Sequence, residues 1–199
     1  MNIKHNKDEV IKKGMLLFAE KGYEAVGVNE ICKETGMSKG AFYHAFETKE
    51  GFLEQCIQSY GEQNIKSLEA RMKSLSHLSP NNRLEEIYVH FIRIQPETNY
   101  MGCLINKINS EVASSNKHIG QKTTILLDNV IEVFARVVKE GQQTGELRND
   151  IESLQLARLI HYSFYGILTQ SNGKEDVSEE IELIRTLIKS MQPHKSNNN

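Results

Sequence analysis

Apolar positions recur at helical spacing in one stretch after another of this chain, and they predict an all-α fold of about nine helices. Val10, Ile11, Met15, Leu17 and Phe18 form the buried side of a first helix over 7–21, which Gly22 stops. Val28, Ile31 and Cys32 lie at i, i+3 and i+4 and mark a short second helix. Gly36 can take the left-handed conformation that ends it, Met37 can plug the corner, and Ser38 is a good N-cap for a third helix. That third helix offers Ala41, Phe42, Ala45 and Phe46 inward. Thr48 caps a long helix over 48–75, whose period runs through Phe52, Leu53, Cys56, Ile57, Tyr60, Ile65, Leu68, Met72 and Leu75. Ser79-Pro80 starts the next, a cap followed by proline at the first helical position. Its inner face is Leu84, Ile87, Tyr88, Phe91 and Ile92, and Pro96 closes it.

Beyond a short helix beginning near Cys103, a long one over 118–143 carries Ile125, Leu126, Val130, Ile131, Phe134, Val137 and Val138. Asn149-Asp150-Ile151-Glu152 has capping-box spacing ahead of a segment, 151–171, that is apolar on more than one side and needs several partners. Asp176 to Glu179 cap a last helix with Ile181, Leu183, Ile184, Leu187 and Ile188. Two such closing helices per subunit suit a four-helix interface and a two-fold homodimer. The expected organisation is a three-helix domain over 1–50, a larger helical domain over 51–192 for ligand binding and dimerisation, and a polar tail over 193–199, expected to be mobile.

Two short helices joined by a Gly-containing turn describe a helix-turn-helix, a motif whose second helix enters the DNA major groove. Apolar spacing and glycine alone fit an ordinary helical hairpin equally well. The outward residues favour DNA. Ser38, Lys39, Gly40, Tyr43 and His44 offer hydroxyl, ammonium and imidazole groups of the kind that hold phosphates; Lys49, in the next helix's first turn, is either a solvated lysine or a further phosphate contact. The small Gly40 lets backbone approach a duplex.

Composition narrows how such binding could work. The 199 residues are 39% hydrophobic and 25% charged with a formal net charge of -2, so bulk attraction to nucleic acid or a membrane surface is absent. Residues 1–50 hold eight Lys and eight acids. Affinity for DNA therefore has to come from placement, with Lys4, Lys7, Lys12 and Lys39 facing the backbone and the acids facing away. The three cysteines, Cys32, Cys56 and Cys103, make neither a CxxC nor an even-numbered framework. With no apolar signal core and no apolar run long enough to span a bilayer, the expectation is a cytosolic protein with no membrane partner.

Residues 9–53 resemble the N-terminal domain of the tetracycline-repressor (TetR) family of regulators. The resemblance rests on Phe18-Ala19-Glu20-Lys21-Gly22-Tyr23, Val28-Asn29-Glu30-Ile31, Gly36-Met37-Ser38-Lys39-Gly40, Phe42-Tyr43-His44-Ala45-Phe46 and Thr48-Lys49-Glu50. Where the family usually has Thr or Ser capping the second helix, this chain has Val26-Gly27. Its histidine stands one place earlier than is common, with Ala45 before the last Phe. Gly102-Cys103-Leu104 is similar to a motif of the subgroup that includes the N-ethylmaleimide-responsive repressors, with Asn106-Lys107 where that subgroup has Gly-Asn. Glu140 to Arg148 also resembles the family's linker before its penultimate helix. These resemblances imply a homodimeric repressor that binds a palindromic operator in double-stranded DNA and is released by a small-molecule effector, an electrophile in the subgroup.

The expected effector pocket draws on Tyr88, Phe91, Cys103, Phe134, His161 and Tyr165, all assigned from helix faces. Cys103, after Gly102 at a helix start, is either a thiolate sensor or a small core residue; Lys107, four residues on, could share its face. Enzymatic readings are thin. His90, His118 and His161 show no ligand spacing, and neither a nucleotide fingerprint nor a nucleophile elbow is present. No catalytic residue, metal or cofactor is expected, and a thiol-dependent helical enzyme using Cys103 is the one rival.

Overall fold

The computed structural model describes residues 6–95 and 103–193. Lys4, Pro96, Met101, Gly102 and the tail from His194 lie outside the described residues. Those residues form nine helices and no strand: α1 (Lys7–Lys21), α2 (Val28–Thr35), α3 (Lys39–Phe46), α4 (Lys49–Ser74), α5 (Pro80–Arg93), α6 (Leu104–Val112), α7 (Lys117–Gln143), α8 (Ser153–Gln170) and α9 (Ser178–Ser190).

Several boundaries have visible causes. Asn6 caps α1 by accepting from the Asp8 amide, and Gly36 closes α2 in the left-handed region at φ 73°. Pro80 is the first residue of α5, where its missing N–H leaves nothing unsatisfied. The capping box expected before α8 is not the device used. Glu152 is itself the N-cap, and its carboxylate accepts from the Leu154 and Gln155 amides.

The chain groups into two compact units. One holds the residues through Asn64 together with Cys103–Leu127; the other holds Ile65 to the end of α5 together with Asp128 onward. The first half of α4, all of α6 and the start of α7 group with α1–α3.

In the first unit, Phe52 of α4 is the centre of an aromatic cluster. Its ring lies 5.9 Å from Phe18, 5.4 Å from Phe42 and 4.7 Å from Phe46. Gly14 makes room for it, since a Cβ there would fall 2.3 Å from the Phe52 ring. Cys56 is fully buried beside this cluster with its thiol facing the Ile11 carbonyl at 3.7 Å, and Cys32 is buried too; both are packing residues.

The second unit packs α5, α8, α9 and the later part of α7 around Tyr88, Ile87, Ile92, Phe134, Ile160, Phe164 and Ile184. Arg83, buried at the start of α5, is held by the Glu140 carboxylate at 2.9 Å and the Leu78 carbonyl. Not every apolar position on these helices is internal. Leu159 and Tyr162 of α8 are 48% and 58% exposed, and Leu183 of α9 is 49% exposed. The inner stripe of α9 is Glu180, Ile184 and Ile188, so Leu183 falls on a different face. Ile125, expected inside α7, is likewise exposed.

Candidate nucleic-acid interface

α3 is only two turns long, and its inner stripe is correspondingly narrow. Phe42 and Phe46, four apart, are buried against Phe52, whereas Ala45, expected inside, is exposed because a two-residue stripe already fills the contact. Ser38 presents its Oγ to the Ala41 amide at 3.2 Å and fixes the helix start. Lys39, Gly40, Tyr43 and His44 are all exposed on one continuous face. The Tyr43 ring stands edge-on to Phe42 at 5.5 Å, which steadies it while half its surface stays open. Nothing in the protein crowds Gly40. A Cβ there would come no nearer than 4.0 Å to any neighbour, so the fold itself has no need of a glycine at that position.

Between α3 and α4 the backbone makes a tight turn. Glu47 has φ 62° and ψ -50°, and the Thr48 amide bonds the Phe46 carbonyl across it. This conformation is strained for a residue with a Cβ. It brings α4 in so closely that a Cβ on Gly51 would fall 2.5 Å from the Phe46 carbonyl oxygen. α3 is thereby fixed to α4 through backbone as well as through aromatic rings.

The loop between α1 and α2 is held from two sides. Lys49 donates to the Tyr23 and Val26 carbonyls at 3.0 and 3.1 Å, with its ammonium 4.0 Å above the Tyr23 ring. Burial raises the pKa of the Tyr23 phenol, and the carboxylates of Glu50 and Glu24 add to this. From α6, the Glu111 carboxylate accepts from the Tyr23 and Glu24 amides at 3.0 and 2.8 Å. Gly22, at φ 84°, allows that approach, since the carboxylate lies 3.0 Å from where a Cβ would be. Lys107, one helical turn earlier on α6, donates to the Ala19 carbonyl near the end of α1. Lys49, Glu111 and Lys107 thus tie α4 and α6 to the reading head, the helices α1–α3.

Residues 10–56 match the family model described as "Bacterial regulatory proteins, tetR family". The chain is 23% identical over 191 residues to the HTH-type transcriptional repressor DhaR of Mycobacterium sp. (strain GP1), covering 96% of this chain and 94% of that protein. It is also 28% identical over 167 residues to the transcriptional regulator AcuR of Cereibacter sphaeroides, covering 81% and 74% of the two chains. Over residues 10–56 the chain is similar to the TetR family of regulators. Solved structures agree in fold. The reduced form of E. coli NemR superposes with a TM-score of 0.80 at 21% identity, covering 92% of this chain and 95% of that chain. A regulatory protein TetR from Rhodobacter sphaeroides gives 0.79 at 22%, covering 92% and 97%.

The remaining expected site residues fall in two places. Tyr88, Phe91, Phe134, His161 and Tyr165 all belong to the second unit, while Cys103 belongs to the first. Cys103 is the N-cap of α6 and is half-buried, unlike the other two cysteines. The Tyr60 phenol is its neighbour: burial pushes the Tyr60 pKa up, the charge of Cys103 pushes it further, and the Leu104 amide bonding the phenol acts in the opposite direction. The Lys107 ammonium, four residues on, donates to the Ala19 carbonyl.

In the second unit the five rings, with Phe164, form an aromatic group. Tyr88 stacks on Phe134 at 4.6 Å and 12°, and Tyr165 stands edge-on to His161 at 4.7 Å. The Tyr88 hydroxyl and His161 Nδ1 are 3.1 Å apart, and burial lowers the His161 pKa to about 4.

Sequence spacing gave no sign of a group that could take a metal, yet Glu50, Glu54 and His118 bring their ligand atoms within 4.8 Å of one another. His118 Nε2 is 2.8 Å from Glu54, whose other oxygen is held by the Lys122 ammonium. That ammonium offsets the charge of Glu54, and the contacts of His118 and Lys122 with Glu54 tie α7 to α4. Among the described residues no helix is long and apolar enough to cross a membrane.

Proposed function

We propose that this protein is a TetR-family regulator: a cytoplasmic, homodimeric transcriptional repressor that a small molecule releases from a palindromic operator. The observation that carries the reading is the outer face of α3. It is held rigidly from behind by Phe42 and Phe46, and it is open at Gly40 where the protein has no use for a glycine. A glycine costs a helix about 1 kcal/mol relative to alanine, so its benefit lies outside the chain, in backbone approach to a duplex. Each subunit lays Ser38 to His44 in a major groove, with Lys39 and Gly40 beside base edges and Tyr43 and His44 on phosphate. Lys49 has one N–H beyond the two given to Tyr23 and Val26, and that remaining donor can reach phosphate. The exposed Leu159 and Tyr162 of α8 and Leu183 of α9 supply the apolar surface for a second copy.

The effector works by preferring one state over the other, whatever its absolute affinity. α6, bonded to the reading head through Lys107 and Glu111, carries a change at its N-terminus to the α1–α2 loop. The partial exposure of Cys103, at that N-terminus and beside Tyr60, favours a second route in which an electrophile adds to the thiol. A gel shift against the protein's own upstream region, repeated with aldehydes and quinones, tests the reading. Retarded DNA that is freed by an effector supports it, and no preference over random duplex overturns it. Release that survives Cys103→Ser removes the thiol route alone.

A further inference from the structure

We propose that the Nε2–H of His161 is the hydrogen-bond donor of the effector seat, and that the seat takes a neutral, flat molecule bearing a carbonyl-type acceptor. His161 is 2% exposed, and its Nε2 has no hydrogen-bond partner. Its Nδ1 is engaged by the Tyr88 hydroxyl. Two proton arrangements are open to this pair. If Nδ1–H donates to the phenol oxygen, the phenolic hydrogen and the Nε2 lone pair both go unmet. If the phenol donates to Nδ1, a single group is left over, the Nε2–H. Buried polar groups rarely forgo partners, so the second arrangement is preferred and fixes Nε2 as a donor. The depressed pKa of the imidazole agrees, since it keeps the ring neutral at physiological pH.

The surroundings set the ligand's chemistry. Rings of Phe134, Tyr165, Tyr88 and Phe164 lie 4.7 to 5.9 Å from the imidazole. Aromatic walls around one neutral donor suit a flat molecule with one acceptor, and an ionised ligand would give up its hydration for no opposite charge in this wall. Phe91 and Tyr165 are only partly buried, so this wall is the side nearest solvent, with Tyr165 edge-on over the imidazole. Sequence reasoning placed His161 on an apolar helix face. It could not show that one ring nitrogen would be satisfied and the other left over.

The assignment rests on the effector-responsive reading above, and its test separates the two. Protein labelled with 15N-histidine is titrated with acetophenone, with ethylbenzene as a similar shape lacking the acceptor, and with benzoate as a charged analogue. Acetophenone is expected to shift the His161 Nε2–H resonance and to bind at least about tenfold more tightly than ethylbenzene, with benzoate inert. His161→Phe should erase the preference for the ketone, and His161→Gln, which keeps an N–H donor, should retain part of it. Equal binding of ketone and hydrocarbon overturns the proposal. So does an Nε2–H resonance unmoved by all three probes, the behaviour of a donor permanently occupied by buried water. If acetophenone binds as expected but leaves an operator complex intact, the seat stands and effector release fails.

Discussion

Removing the Glu111 carboxylate should loosen the reading head without touching any residue that faces DNA. Its two oxygens accept from the Tyr23 and Glu24 amides at 3.0 and 2.8 Å. A hydrogen bond to a charged group contributes about 1.5–3 kcal/mol when shielded, and less where solvent reaches it. The Tyr23 bond is partly buried and the Glu24 bond exposed, so the pair together should be worth about 2–3 kcal/mol. Glu111→Ala removes both acceptors. Lys49 still bonds the Tyr23 and Val26 carbonyls, so the loop keeps its second anchor and the fold should survive. Urea unfolding should show a loss of about 2 kcal/mol for Ala and about half that for Gln, which retains one amide oxygen as acceptor. Operator affinity, read by fluorescence anisotropy, should fall by up to about thirtyfold for Ala, because a head that opens locally must be reordered on binding. A variant within about 0.5 kcal/mol of wild type, with unchanged affinity, would show that α6 does not hold the head.

Tyr43→Phe should weaken binding to operator and random duplex alike and reduce the slope of log K against log salt by up to about one unit; an unchanged slope removes Tyr43 from phosphate. Gly40→Ala should raise unfolding stability by about 0.5–1 kcal/mol while reducing operator affinity, and a variant that gains on both counts contradicts the close-approach reading. Glu47→Gly should relieve the positive-φ turn and stabilise the protein by about 1 kcal/mol; a loss would mean the side chain offsets the strain in some other way. For His161, the folded pKa of about 4 lies below the unfolded value near 6.5, so the unfolded chain binds the extra proton between those limits. Stability should therefore rise from about pH 4 to about pH 6.5 and be lost as pH falls back, by about 3 kcal/mol from this group. Subtracting the pH profile of His161→Phe from that of wild type should isolate the rise, and identical profiles would refute it.

Helices on repeating apolar positions were readable because each face is a local property of a few turns. α1 runs Lys7–Lys21 as its Val10-to-Phe18 pattern indicated, and Gly36 and Pro80 act where their backbone chemistry placed them. Errors came where a face is shared out by tertiary packing. Ala45, Ile125 and Leu183 have core-like spacing but are exposed. The outer face of α3 was legible since Ser38 to His44 are consecutive. The bracing was not: Lys49 on Tyr23, Glu111 on the same loop and Lys107 on Ala19 join residues separated by 26, 88 and 88 positions. Nothing in a periodic pattern distinguishes a lysine that reaches a phosphate from one that turns to a carbonyl. The same limit put Cys103 among residues that belong to another unit, and hid Tyr60 as its neighbour.

In the proposed function two copies of α3 read one duplex together. Hydroxyl-radical footprinting of the protein on its own upstream region, with the subunit count of the complex taken by sedimentation, tests this most directly. The expected result is an even number of subunits protecting two patches with centres about one helical turn or a multiple of it apart, both lost in a Tyr43→Phe, Lys39→Ala double variant. A single subunit on the DNA, or protection no different from random duplex, would contradict it.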